Sequence, residues 1–542
     1  MSSSGVRCHV FSKKPWMCVF QRFPFSEACA SSPDHDSRAT PPRARARRGV
    51  DRARDLSRRE IRARAVGWTH GNVRGGGGGA RARFVDAERV ASVREGGVFI
   101  TTTSVEHLNA TTEATTMAID TGDTAFILAS MALVNLMTPG LAFFYGGLVR
   151  SSNVLTIMMQ NYVSMGLVTI VWVVWGYSLC FGSSVGHGFI GAPADHYFLE
   201  GMGEWGTLPE LVFAGYQGMF AVIAPSLMTG AFADRVRFVP YLIFIVVWVH
   251  LVYFPFAHWV WGGGWMARHG VKDFAGGIVV HTTAGFSALA TVVALPNRKK
   301  IEGVEIDKSP HNIPFVALGT GLLWFGWFGF NGGSALAANG AAALAAMNSE
   351  ISASTALFFW LLLEWKMEGK PTLVGACVGA IAGLATITPC AAYVKPWAAL
   401  VIGILCVPWC YACIRLTRRY NLDDALDVWA VHGMGGLFGT LCVGIFSNKD
   451  MTAMLGAPGW EAGGHLFGIQ LLAAVGCAVY SFVVGWALIK FIGLFVSVVP
   501  DEEDLKMGLD ISMHGAKAYA GEDVSGSGSR REPKSRDFAS KV

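Results

Sequence analysis

Residues 313–363 read IPFVALGTGLLWFGWFGFNGGSALAANGAAALAAMNSEISASTALFFWLLL, and Glu350 is the one charge in the run. A helix crosses ~30 Å of hydrocarbon with about 20 residues, so this run is too long for one crossing and too apolar for a soluble helix surface. The break Ala337-Ala338-Asn339-Gly340 divides it into two spans. Read outward in the same way, the chain has eleven spans: 124–146, 154–181, 209–232, 239–262, 274–296, 313–333, 341–363, 371–394, 396–414, 428–447 and 466–496. The expected fold class is all-α, a polytopic membrane protein of eleven transmembrane helices.

Charge divides the chain in two. Residues 1–116 hold twenty Lys and Arg against eleven Asp and Glu, which leaves 24 against 28 for the rest. The basic excess of the whole chain therefore belongs to a leader and does not indicate nucleic acid. The leader has Arg43-Ala44-Arg45-Ala46-Arg47-Arg48 and five glycines at 75–79, a composition that cannot build a core and reads as disordered. It is a targeting segment or is missing from the mature protein, which would start at Met117, although eleven acids fit a transit peptide poorly. Residues 117–500 form the membrane domain and 501–542 a cytoplasmic tail.

Twelve loop cations (Arg150, Arg235, Arg237, Arg298, Lys299, Lys300, Lys308, Lys366, Lys370, Arg415, Arg418, Arg419) alternate with a set of four (Arg268, Lys272, Lys395, Lys449). The larger set belongs in the cytoplasm, so the N-terminus lies outside and the C-terminus inside. Two halves of the chain echo each other. Asp273 precedes His281 by eight residues and Asp424 precedes His432 by eight, while Phe144-Tyr145-Gly146-Gly147 matches Phe330-Asn331-Gly332-Gly333. Five spans separate each pair, and an odd offset makes two inverted five-helix repeats with a transport path at their interface.

A histidine inside a membrane span is costly and marks a pathway more often than in soluble proteins. His281 and His432 sit at matching places, and two facing neutral imidazoles suit a small polar molecule such as ammonia. Neither has the carboxylate or cysteine partners of a metal site; no metal or other cofactor is expected. Cys406, Cys410 and Cys413 read as small packing residues, and His250 and His258 as structural. No H-E-x-x-H occurs, which argues against an enzyme.

Leu141-Ala142-Phe143-Phe144-Tyr145-Gly146-Gly147, Phe256-Ala257-His258-Trp259-Val260-Trp261-Gly262-Gly263-Gly264, Asp273-Phe274-Ala275-Gly276-Gly277, Gly326-Trp327-Phe328-Gly329-Phe330-Asn331 and the stretch around His432 resemble the ammonium transporter, methylammonium permease and Rhesus family. The likeness runs in order over about residues 120–520. It implies a homotrimer of eleven-helix protomers in a lipid bilayer, each protomer with its own pore for ammonium or ammonia and for methylammonium as an analogue. By the same resemblance Trp261 and Ser334 capture ammonium in an outer vestibule, which Tyr216 also lines. Phe220 and Phe330 form the stacked pair beneath it, and ammonia passes His281 and His432. Asp273 is a helix cap with a further electrostatic or proton role, Asp424 is its symmetry mate and a cap, and Glu350 is an unusual acid for the family.

Ser512, in Gly508-Leu509-Asp510-Ile511-Ser512-Met513-His514-Gly515, resembles the tail position that plant-type members phosphorylate, so a kinase or nitrogen-signalling regulator is an expected cytoplasmic partner. Phosphate there would detach the tail from the neighbouring protomer. The alternative function is an ammonium sensor that signals through the tail. The expected location is the plasma membrane, or an organelle envelope if the leader is a transit peptide. Deleting residues 1–116 is expected to leave insertion and ammonium uptake intact. A protein starting at Met117 that inserts yet moves no ammonium would show that the leader has a role in transport.

Overall fold

The structure is a computed structural model and describes residues 118–298, 309–456 and 458–519. The leader, the expected mature start at Met117, and Lys299, Lys300 and Lys308 lie outside the described residues.

Among the described residues, eleven helices are long and apolar enough to cross a membrane. They are α1 (Thr121–Leu148), α2 (Ser151–Phe181), α3 (Glu210–Phe232), α4 (Phe238–Arg268), α5 (Gly277–Ala294), α6 (Ile313–Ala335), α7 (Gly340–Glu368), α8 (Leu373–Cys390), α9 (Pro396–Arg419), α10 (Trp429–Phe446) and α11 (Gly464–Ile492). This is a multi-pass membrane protein. Two small hairpins, Ser184–Val185 with Ile190–Gly191 and Glu204–Trp205 with Leu208–Pro209, interrupt the helical pattern between α2 and α3.

The helix boundaries have local causes. The run 313–363 does divide where expected: Leu336 turns left-handed with φ 56°, and the Asn339 side chain accepts from the N–H groups of Ala341 and Ala342 to start α7. Gly369, with φ 83°, ends that helix in a conformation that costs glycine least. Asp120, Asn312 and Thr372 cap α1, α6 and α8 in the same way as Asn339 caps α7. Such caps matter more in lipid than in water, because nothing in hydrocarbon can serve an unpaired N–H. Glu350, inside α7, accepts from Trp324 Nε1 and Ser354 Oγ at 2.9 Å each.

Burial separates inner from outer helices. In the most apolar stretch, α5 and α8 are 83% buried and α7 33%, so α5 and α8 lie inside and α7 at the periphery. On α8, methyl groups at Gly379 and Gly383 would collide with Trp360 and with Ala356 and Ser352 of α7, the close helix contact that glycines four apart permit.

The two histidine helices match in detail. α5 opens with a π-helical turn at Gly277–Thr282 and α10 with one at Trp429–Gly433; each turn holds the histidine and is capped by the aspartate eight residues before it. Their backbones touch at glycines. A Cβ on Gly436, one turn after His432, would stand 2.6 Å from His281 Cβ and 2.7 Å from Gly277 O. A Cβ on Gly285, one turn after His281, would run into the Gly433 backbone.

Loop charges collect at one end of the bundle. Arg298 makes a two-pronged bond to Asp423 at 2.9 Å per oxygen and reaches Asp234 at 3.4 Å, while Arg150 approaches Asp234 at 3.8 Å. The chain after α11 returns across this end. Arg237 pairs with Asp501 and Asp504, Leu509 N–H donates to Asn153, and the buried Asp510 carboxylate accepts from the N–H groups of Leu155 and Thr156. The tail thus docks on the start of α2 of its own chain, where a buried acid meets free helix N–H groups. Ser512 Oγ is buried there without a partner.

The glycine contact yields a direct test. Gly285→Ala should cost on the order of 1–3 kcal/mol through overpacking, read as a lower unfolding temperature in detergent. Gly476→Ala on α11, where a methyl group meets nothing within 4 Å, should be neutral or slightly stabilising. Equal stability of the two variants would overturn the close-contact account.

Candidate functional site

Two cavities lie in line, joined by one aromatic pair. The outer one, of about 290 Å³, is lined by Trp261, Ser334, Phe220, Gln217 and Asp273 among others. The inner one has room for about one water-sized molecule and is lined by His281, His432, Phe330, Trp327 and aliphatic side chains. Phe220, on the outer wall, stacks on Phe330, on the inner wall, with ring centroids 4.2 Å apart and planes 24° apart. Both rings are 1% exposed, so the pair closes the way between the cavities.

Each outer group is held by its helix end. Trp261 ends the regular part of α4, and its indole N–H donates to Asp273 O at 2.8 Å, which fixes the ring and leaves its face open to the cavity. Its ring stands edge-on to Phe220 at 6.0 Å. Ser334 lies where α6 tightens into a last short turn, and its hydroxyl donates to Phe330 O at 2.8 Å, leaving oxygen lone pairs free to accept. The Asp273 carboxylate accepts from the backbone N–H groups of Gly276, Gly277, Ile278 and Val279 at 2.7–3.1 Å. It is therefore a complete cap for α5 and lines the outer cavity as well. Burial raises its carboxyl above the ordinary range, and the four N–H groups oppose that rise.

Tyr216 departs from expectation. It is fully buried and outside the lining of the outer cavity, with its hydroxyl 2.9 Å from the carbonyls of Gly329 and Phe330 and 3.2 Å from Ser334 Oγ. One residue along a helix rotates the side chain by about 100°, so Gln217 takes the place on the cavity wall that Tyr216 was expected to hold. Sequence reading passed over Gln217, although an amide inside an apolar span was a signal in itself.

Further in, the structure brings His281 and His432 together. Their Nδ1 atoms are 3.3 Å apart and their rings nearly parallel at 17°. A hydrogen bond between two Nδ1 atoms needs one donor and one acceptor, so the pair shares a single proton there. His281 Nε2 is buried with no protein partner. Trp327 stacks on His281 at 5.6 Å, a support for the imidazole that sequence reading did not name. Three π-helical turns carry the inner groups: those of His281 and His432, and Phe328–Gly332 with Phe330. Such turns often occur at functional sites.

Other singled-out residues have local partners. His258 lies between Ser184 and the Cys180 carbonyl, and His250 between Trp175 and the Val246 carbonyl. Asp424 Oδ2 accepts from Trp429 N–H at 2.8 Å and caps α10. Cys406, Cys410 and Cys413 are buried in α9 as free thiols.

The described site can be set beside known proteins. The model of the Ammonium Transporter Family matches residues 125–519. An ammonium transporter of Bacillus subtilis is 43% identical over 405 residues, 73% of this chain and 98% of its own. The crystal structure of Mep2 from Saccharomyces cerevisiae superposes with a TM-score of 0.66 at 31% identity, covering 71% of this chain and 88% of that one. A structure titled as a sensor Amt protein gives 0.66 at 29% identity, covering 72% and 98%. With eleven spans, a match across the whole membrane domain and relatives of this identity, the chain belongs to the ammonium transporter family.

Proposed function

We propose that this chain captures ammonium in the outer cavity, that ammonium gives up its proton to cavity water at the aromatic pair, and that ammonia passes along the two histidines, with or without a separately moved proton. The stacking of Phe220 on Phe330 between the two cavities carries this reading. Ammonium and potassium have similar size and charge, so a simple cation hole would separate them poorly. A dry constriction separates them by chemistry. Moving an ion into a medium of low dielectric costs tens of kcal/mol in the idealised Born picture, and ammonium escapes this cost by becoming neutral, which potassium cannot do.

The groups divide the work accordingly. The Trp261 face attracts the cation, worth roughly 0.5–2 kcal/mol, and the Ser334 oxygen accepts one of its N–H bonds. Tyr216 holds the carbonyls of Gly329 and Phe330 and so positions the gate from behind. Asp273 fixes the start of α5 and hence the angle at which His281 enters the pore. Inside, the unpartnered His281 Nε2 and the shared proton of the pair offer hydrogen bonds to a neutral molecule and no fixed charge to a cation.

The wider arrangement follows the same reading. The two capped histidine helices are the matching parts of two inverted five-helix repeats, with the N-terminus outside and the C-terminus in the cytoplasm. Three protomers assemble, each with its own pore, in the plasma membrane. Residues 1–116 form the leader, 117–500 the transporter and 501–542 the regulatory tail. Ser512 is the regulatory position: a phosphate of about −1.5 to −2 charges beside Asp510 would repel that acid and lift the tail from α2. The second reading is an ammonium sensor, favoured by the fit to the structure titled as a sensor. A sensor would bind ammonium and signal with little flux.

Two outcomes test the transport reading. Trp261→Leu, measured as concentration-dependent uptake in liposomes, should raise the half-saturating ammonium concentration by about twofold to thirtyfold. His281→Asp places a fixed negative charge beside the gate and favours the charged form of the substrate. That variant, alone or with His432→Glu, should conduct potassium or change the current carried per ammonia even as total flux falls. Unchanged selectivity and normal flux in folded protein would overturn the pore assignment, and saturable binding with negligible wild-type flux would select the sensor.

A further inference from the structure

The outer cavity holds a polar group for which the mechanism above has no use. Gln217 lines it beside Trp261 and Ser334 and is 9% exposed. Its amide oxygen is buried without a hydrogen-bond partner. The amide oxygen and nitrogen exchange places by a half turn about the last side-chain bond, so either atom can face the cavity. A buried amide left unbonded is a standing cost, and such groups persist where a ligand or an ordered water completes them.

The other polar atoms near Gln217 are already committed. The Trp261 N–H is on Asp273 O, the Tyr216 hydroxyl is on the carbonyls of Gly329 and Phe330, and the Asp273 carboxylate carries four backbone N–H groups. Ser334 keeps lone pairs after donating to Phe330 O. An ammonium ion brings four N–H donors and loses water as it nears the gate, so one hydroxyl oxygen is a thin replacement for its hydration shell.

The backbone at Gln217 is also rigidly placed. Two glycines flank it on α3: a methyl group at Gly215 would lie 2.7 Å from Met131 Sδ, and one at Gly218 would lie 2.9 Å from Trp172 Nε1. Neighbours press on the helix on both sides, so the backbone that carries the amide is held in place beside the cavity wall.

We propose that the Gln217 side-chain oxygen is a second hydrogen-bond acceptor of the vestibule, taking an N–H of ammonium alongside Ser334. This rests on the reading of the outer cavity as the ammonium site. The partial removal of water that precedes deprotonation is then matched by two fixed oxygens and the Trp261 face.

The test is the concentration dependence of ammonium uptake by the full chain in liposomes, with Gln217→Met, Gln217→Glu and Trp261→Leu beside the wild type. Methionine keeps the volume and removes the acceptor, so half-saturation should rise about tenfold, the loss expected of one hydrogen bond to a charged group. The effect should fall on half-saturation more than on maximal flux. Glutamate keeps the acceptor and adds charge, so half-saturation should stay near or below the wild-type value at pH 7. If Trp261→Leu shifts half-saturation while both Gln217 variants match the wild type, this proposal fails and the vestibule stands. If none of the three shifts it, both fail. Should Gln217→Met not fold, a tenfold weaker half-saturation in Gln217→Glu would by itself overturn the acceptor role.

Discussion

Two helices in the middle of this molecule approach until their backbones touch, and that contact depends on glycine. Gly285, Gly433 and Gly436 supply the places where α5 and α10 cross, and a methyl group at Gly285 or Gly436 would strike the opposite helix. Because the backbones are so close, the imidazoles of His281 and His432 come within hydrogen-bonding reach instead of standing on separate walls. The narrow inner cavity and its single shared proton both descend from this approach.

The aspartate caps serve the same contact. A π-helical turn leaves backbone N–H groups at its start, and lipid offers nothing to receive them. Asp273 takes four such groups and Asp424 takes one, so each histidine turn begins on a carboxylate that has been drawn into the protein. Asp273 then has a second consequence, since it lines the vestibule while its own backbone carbonyl holds the Trp261 indole. The wall of the outer cavity and the start of the histidine helix are thereby one unit, and a shift of either moves the other.

At the opposite end, the tail uses the same physics in a weaker form. Asp510 meets the N–H groups at the start of the regular part of α2, and Tyr519 reaches His311 between α5 and α6 at 2.8 Å. These are a few polar contacts to helix ends, with little apolar burial beyond Leu505 and Leu509. Such a segment belongs to the low-stability part of a structure, where a change of charge can shift docking without unfolding the bundle.

The sequence by itself determined the number of spans, their approximate ends and the break at Asn339, because hydrocarbon thickness and backbone hydrogen bonding leave an apolar chain few choices. It also singled out His281, His432 and the aspartates before them, since polar groups are rare and conspicuous in such spans. Tertiary structure alone decided which side chains meet. The π-helical turns add a residue to the helical repeat and rotate Phe330 and the histidines toward the pore, and no propensity in those stretches announces it. One residue of rotation likewise placed Gln217 on the vestibule wall and Tyr216 behind it. The tail's attachment to its own α2 rests on contacts more than 350 positions apart in the chain. Hydropathy is a property of segments, whereas facing and contact depend on the angle and distance between helices, and these are fixed only when the glycine surfaces pack.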